Sequence, residues 1–302
     1  MIRRLVLVWL ATLILVVAVG VVSGNGLGLR VQKSEVIDER LPTVAGCFGT
    51  KEGESVEWNR QLCTFGPTSA VGDLLIVGDS TVASMADGLY RAALKRNLRV
   101  VVYPSRGCTF TTRYPYSYTW CSSYFKSSIE LLKDVKPVGL IVSNYLSRMD
   151  LPDRRIPTLE NVLPESRDAR LLSTVLSFEE AVREVRTINP ELPILIVHEI
   201  PVISVMKPSL LFDRSTNLTI QLQQRSYQRQ REYIKTVESV LQKFDGLSYL
   251  DTAKTFCDST RCSARDKTGI VLYMDSYHLN PSGSFLLEDE FSYWFSTELD
   301  LP

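Results

Sequence analysis

Histidine is scarce in this chain: 302 residues include two, His198 and His278. Any chemistry that needs an imidazole must therefore choose between two positions. Net charge is absent as well, because 34 Lys and Arg balance 34 Asp and Glu. That balance, with no dense basic run interleaved with aromatics, excludes nucleic acid as the expected partner. No Cys-x-x-Cys occurs among the six cysteines, and there is neither an internal repeat nor a low-complexity tract. What remains is an ordinary globular composition, 45% hydrophobic and 23% charged, sufficient for a substantial core.

The amino terminus sets the compartment. Arg3 and Arg4 precede an uncharged run from Leu5 to Leu29. As a helix its most apolar part, Leu5 to Val22, would span roughly 27 Å, close to the ~30 Å of a bilayer core. Positive charge at the start favours a cytoplasmic amino terminus and an exported remainder. Residues 1–23 thus read as a transmembrane anchor, with a cleaved signal segment as the alternative because Ala18-Val19-Gly20 offers small residues at a peptidase spacing. Both readings place the rest outside the cytoplasm, membrane-anchored in one case and secreted in the other.

Cysteine usage agrees with export. Cys47 with Cys63, Cys108 with Cys121, and Cys257 with Cys262 form three sequence-local pairs. Sequence alone does not select a connectivity, but local disulfides are the simplest choice for an exported chain. Thiols or a metal site remain the alternative.

Residues 24–41 read as a tether and 42–73 as a disulfide-stapled segment without clear periodicity, leaving 74–302 as the main domain. There, apolar runs of strand length alternate with amphipathic stretches, the signature of βαβ units and a parallel sheet. Strands are expected at Leu74–Val77, Arg99–Tyr103, Gly139–Ser143, Ile194–Glu199 and Ser248–Leu250. Helices are expected at Val82–Arg96, Tyr124–Val135, Thr174–Ile188, Gln224–Phe244 and Ser282–Thr297. The connections from Tyr103 to Ser122 and from Ser147 to Leu172 are long, as functional loops often are.

Two segments carry the chemistry. In the first, an apolar strand runs directly into Gly78-Asp79-Ser80 and then a helical pattern. Ligands in open α/β sheets bind beyond the carboxyl ends of the strands, and the helix start supplies N–H groups for a developing oxyanion. The plainer reading of Asp79 or Ser80 is a helix cap. In the second, Asp275 precedes His278 by three positions, close enough for its carboxylate to orient the imidazole, which would deprotonate a serine. The plainer reading there is an Asx turn before a helix capped at Ser282.

With these residues in view, the sequence resembles the SGNH (GDSL-like) hydrolases. Gly78-Asp79-Ser80 matches their first block, and Asp275-x-x-His278-Leu279 matches their last. Gly107, in Ser105-Arg106-Gly107-Cys108, matches the glycine whose N–H serves the oxyanion hole. Asn144 falls where the family asparagine belongs, although Ser143 and Tyr145 depart from the usual Gly-x-Asn-Asp. The Gly-Cys and the cysteine pair before the last block are similar to the extracytoplasmic SGNH domains fused to acyltransferase-three membrane proteins.

The resemblance implies a three-layer α/β/α sandwich with a mostly parallel sheet. It implies catalysis by Ser80, Asp275 and His278, with Ser80, Gly107 and Asn144 as oxyanion donors, and neither cofactor nor metal. The expected substrate is an O-acyl, foremost O-acetyl, group of an envelope glycan. The multi-span acyltransferase part is not among these residues, so the chain is expected to work alone or beside a separate membrane acyltransferase. A lipid esterase or thioesterase with the same residues is an alternative, and an inactive glycan-binding or scaffold module is a third reading.

Other residues have weaker cases. His198 is expected to be structural or to line the substrate rim. Arg106 and Arg148 flank the oxyanion blocks and could meet an anionic glycan. Tyr114, Tyr116, Tyr118 and Trp120 suit either sugar stacking or local packing. Asn217-Leu218-Thr219 is a glycosylation sequon only in a eukaryotic source.

Overall fold

The computed structural model describes residues 47, 63–105, 107–113, 119–144, 167–203, 219–222, 224–299 and 301. The apolar amino-terminal segment, the tether, most of the stapled segment, Arg106, Tyr114, Tyr116, Tyr118, Arg148 and the Asn217 sequon lie outside them. Among the described residues no helix is long and apolar enough to cross a membrane.

The central sheet contains β1 (Thr64–Phe65), β2 (Gly72–Gly78), β3 (Leu98–Pro104), β4 (Gly139–Ser143), β5 (Ile194–Val197) and β7 (Leu247–Leu250). Its spatial order is β1-β3-β2-β4-β5-β7, with every pairing parallel except that of the short edge strand β1. The remaining strands, β6 (Thr219–Gln221) and β8 (Arg261–Ser263), form a separate antiparallel pair. In chain order the helices are α1 (Ser80–Lys95), α2 (Thr119–Val135), α3 (Arg167–Ile188), α4 (Arg225–Leu241), α5 (Ala253–Phe256), α6 (Pro281–Phe285) and α7 (Glu288–Glu298).

Strand alternation explains the layers. Leu74 and Ile76 of β2 face one core with Val82, Met85 and Leu89 of α1 and Phe291, Trp294 and Phe295 of α7. Leu75 and Val77 face the other with Tyr124 and Ile129 of α2, Phe178 and Val182 of α3, and Val237 of α4. The central strands are buried on both faces and accordingly read as continuous Leu, Ile and Val. This is the expected three-layer α/β/α sandwich.

Chain direction along the sheet reverses at β2: β3 lies on one side of it and β4 on the other. Open α/β sheets carry their ligands in the crevice beyond such a switch point. Ser80 follows β2 and Asn144 follows β4, so the fold brings both to that crevice.

The expected single helix Ser282–Thr297 is instead two, α6 and α7. Leu286 and Leu287 donate to carbonyls three residues back, which tightens the chain into a corner before Phe291 resumes regular bonding. Leu287 is fully buried at that corner, and the new axis lays Phe291 and Trp294 on the core. Nor does Ser282 cap this region. Asn280 does, accepting the Gly283 N–H at 2.9 Å, with Pro281 in the first turn where its missing N–H costs nothing.

Candidate active site

Glycine is required where β2 ends. Gly78 has φ +142°, and a β-carbon there would lie 1.8 Å from the Ser143 carbonyl oxygen of β4. The next residue, Asp79, caps α1: its buried carboxylate accepts the Thr81 N–H at 2.9 Å and the Thr81 hydroxyl at 2.6 Å. Capping therefore falls to Asp79, and the Ser80 hydroxyl at the first helical position is left to other partners.

Its partner comes from the far end of the chain. Met274 donates its N–H to the His278 carbonyl at 2.9 Å, and Tyr273 bridges Leu279, closing residues 274–278 into a tight loop. Within it Asp275 Oδ1 accepts the N–H groups of Tyr277 and His278, each at 2.9 Å. Asp275 Oδ2 lies 2.6 Å from His278 Nδ1, and His278 Nε2 lies 2.7 Å from Ser80 Oγ. The Asx turn and the carboxylate–imidazole pair, two readings compatible in the sequence, coexist, one oxygen serving each. Burial pushes the Asp275 carboxyl up, but the His278 ring and the two N–H donors outweigh it and hold the group below the usual carboxylate range. An ionised Asp275 fixes the imidazole with Nδ1 protonated and Nε2 free to accept a proton from serine.

Helix α6 holds this loop against α1. Gly88 donates its N–H to the Ser284 hydroxyl at 2.8 Å, and a β-carbon on Gly88 would sit 2.0 Å from the Ser284 carbonyl oxygen. Behind the loop, Tyr273 donates its buried hydroxyl to the Pro201 carbonyl at 2.9 Å.

Asn144 is buried just past β4. Its Oδ1 accepts the Phe110 N–H at 2.8 Å, while its Nδ2 has no hydrogen-bond partner. Buried polar groups are nearly always paired, so an orphaned amide donor at a crevice is suited to an incoming oxygen. Gly107 lies exposed past the end of β3, with φ +80° and room where a β-carbon would sit.

Tyr124 of α2 was not singled out in the sequence. Its hydroxyl accepts the Gly78 N–H at 2.8 Å and points its proton between the carbonyls of Gly78 and Tyr103, 2.9 and 2.8 Å away. Burial pushes this phenol well above its ordinary value, so it remains a neutral hydroxyl. No local pattern betrays it, because it reads as one more aromatic on an amphipathic helix.

His198 lies apart from the Ser80 relay. It is buried at the end of β5, with Nε2 2.8 Å from Glu238 Oε1 and its ring stacked on Tyr249. It lines a small cavity together with Val142, Phe178, Ile196 and Asn144. The three cysteine pairs are disulfides as paired in the sequence, Cys47–Cys63, Cys108–Cys121 and Cys257–Cys262.

A doubly covered, mostly parallel sheet with a serine, an imidazole and a carboxylate in line at its carboxyl edge defines the class: an α/β enzyme of the hydrolase and acyltransferase kind. The chain belongs to the SGNH family, since the model described as SGNH domain (fused to AT3 domains) matches residues 46–292. Among solved structures, the periplasmic domain of a lipopolysaccharide acetyltransferase from Salmonella ser. Paratyphi A is similar at a TM-score of 0.62 and 12% identity, over 91% of this chain and 99% of that one. A carbohydrate acetylesterase from Sinorhizobium meliloti is similar at 0.45 and 12% identity, over 74% of this chain and 98% of that one. A family two carbohydrate esterase from Clostridium thermocellum is similar at 0.44 and 12% identity, over 78% and 66%. At 12% identity the likeness to the Salmonella domain is one of fold. No match was found among curated protein sequences.

Proposed function

We propose that this domain is an extracytoplasmic serine enzyme that moves O-acyl groups, acetyl foremost, of an envelope glycan. The observation that carries the reading is the unbroken line Asp275 Oδ2, His278, Ser80 Oγ, with contacts of 2.6 and 2.7 Å.

In this reading His278 Nε2 takes the Ser80 proton as Oγ attacks the ester carbonyl. The carbonyl oxygen becomes an oxyanion held by the Ser80 and Gly107 N–H groups and the Asn144 amide. Collapse of the tetrahedral intermediate returns the proton from His278 to the departing alcohol and leaves an acyl-serine. A second acceptor, activated by His278, then takes the acyl group. Water as acceptor makes the enzyme an esterase, and a sugar hydroxyl makes it a transferase. Nucleophile, base and oxyanion donors all come from side chains and backbone, so these steps call on no cofactor.

The family's fusion to AT3 domains supports a membrane acyltransferase as partner. The Salmonella neighbour, itself a periplasmic domain of an acetyltransferase, fits the same compartment. Residues 1–23 would anchor the chain, 24–41 tether it, 42–73 form the stapled segment and 74–302 the catalytic domain.

The test is acetate release from a simple acetyl ester by the full chain beside Ser80→Ala. Loss of at least a thousandfold in the variant is expected. Activity that survives in Ser80→Ala overturns the reading.

A further inference from the structure

The groups proposed to react lie at the sheet's carboxyl edge, yet two of their supports come from one helix on the sheet's far face. Cys121 and Tyr124 sit three positions apart on α2 and so point the same way. Cys121 is bonded to Cys108, the residue directly after Gly107. Two residues further on, the Phe110 N–H holds Asn144 Oδ1 and thereby fixes which way the unpaired Nδ2 is aimed. A single loop, tied to α2 by that disulfide, thus governs both Gly107 and the orientation of Asn144. One turn along α2, the Tyr124 hydroxyl binds the Gly78 peptide, two residues before Ser80.

We propose that Cys121 and Tyr124 form a strut on α2 that sets the end of the nucleophile strand and the oxyanion loop relative to each other. Tyr124 is then a positioning residue, and the Cys108–Cys121 disulfide is a requirement of the oxyanion site rather than of the fold. This rests on the serine mechanism proposed above for its catalytic consequence, but not for its structural one.

The surroundings allow the two roles to be separated. The Tyr124 ring stacks on Tyr103 at 5.2 Å and fills the core, so phenylalanine keeps the packing and removes only the hydroxyl. Phe110 packs on Phe125 at 5.2 Å, so the loop keeps an apolar hold on α2 without the disulfide. What these contacts lack is direction: an apolar contact tolerates small rotations that a hydrogen-bonded peptide or a covalent bridge does not.

The experiment compares the full chain with Tyr124→Phe and with Cys108→Ala paired with Cys121→Ala. Amide-resolved hydrogen exchange is read at residues 78–81, 107–110 and, as a core reference, 139–143. Labelling of Ser80 by a fluorophosphonate and ester turnover are followed in parallel. Tyr124→Phe should speed exchange at 78–81 at least tenfold and slow Ser80 labelling by a similar factor. The paired alanine variant should speed exchange at 107–110 and lower kcat at least tenfold, with KM within about twofold. The reference strand should be unchanged in both. Unchanged exchange at both loops overturns the strut, and an equal rise in the reference strand reduces it to a stability staple. If the wild-type chain neither reacts with the probe nor cleaves esters, the serine mechanism falls, while the exchange still decides the strut.

Discussion

Gly88 and Ser284 meet across 196 positions of sequence, the glycine N–H donating to the serine hydroxyl at 2.8 Å. The contact joins the helix that begins at Ser80 to the helix that follows His278, and so sets the distance between the two. A β-carbon at Gly88 would press on the Ser284 carbonyl at 2.0 Å, where no flexible side chain can yield. Gly88→Ala should destabilise the fold by about 1–3 kcal/mol, the usual cost of overpacking. Activity should fall further than stability alone explains. Urea denaturation beside turnover at a temperature where the variant remains folded separates the two effects.

The Nδ2 donor of Asn144 should matter only in the transition state, while Asn144 Oδ1 holds the Phe110 N–H at rest. Its Nδ2 is unpaired at rest, so removing it sacrifices no ground-state bond of that atom. Asn144→Ala should cost about 10²–10³ in kcat, as loss of one oxyanion donor does elsewhere, with KM little changed. Steady-state kinetics on one ester tests this, and a variant that loses only KM would argue for a substrate-contact role instead.

Asp275→Asn keeps the shape of the loop but lets the imidazole adopt the wrong tautomer, so kcat should drop by about 10⁴. Stability should respond in acid. The folded carboxyl lies below its unfolded value, so Asp275 stabilises the fold above the unfolded value of about 3.9 and ceases to as pH falls through the folded one. Acid unfolding of wild type and Asp275→Asn should therefore be compared, with the shallower acid limb expected in the variant.

His198 predicts a different window. Burial pushes it below its ordinary value of 6.5, and the Glu238 bond only partly opposes this. Below that ordinary value the unfolded chain binds a proton that folded His198 resists, so stability rises with pH until both forms are neutral. The slope from one such proton is at most about 1.4 kcal/mol per pH unit. His198→Phe should flatten it in urea titrations between about pH 5 and 7, without abolishing ester turnover. A large loss of turnover would instead place His198 in the catalytic machinery.

The sheet was legible because its central strands are covered on both faces and must be apolar throughout, as Leu74–Val77 and Gly139–Ser143 are. The two-residue strand β1 was not, since Thr64 and Phe65 are strand only by virtue of pairing with Val101 and Val100. Ser80, Asp275 and His278 stand in short local blocks, and the structure brings those blocks within hydrogen-bond distance. Tyr124 and Phe110 escaped notice because their roles depend on atoms 46 and 34 positions away. The break at Leu286–Leu287 was hidden by an uninterrupted helical pattern, and only the corner it turns around α1 requires it.

The three disulfides follow one another along the chain without nesting or crossing, with separations of 16, 13 and 5. If the domain is exported in order of synthesis, Cys63 emerges before Cys108, and Cys121 before Cys257. Each cysteine would then meet its proper mate as the next to arrive, and pairing in that order would need no reshuffling. Oxidation in order of emergence would staple the loop after β3 before α6 and the histidine loop have left the translocation channel.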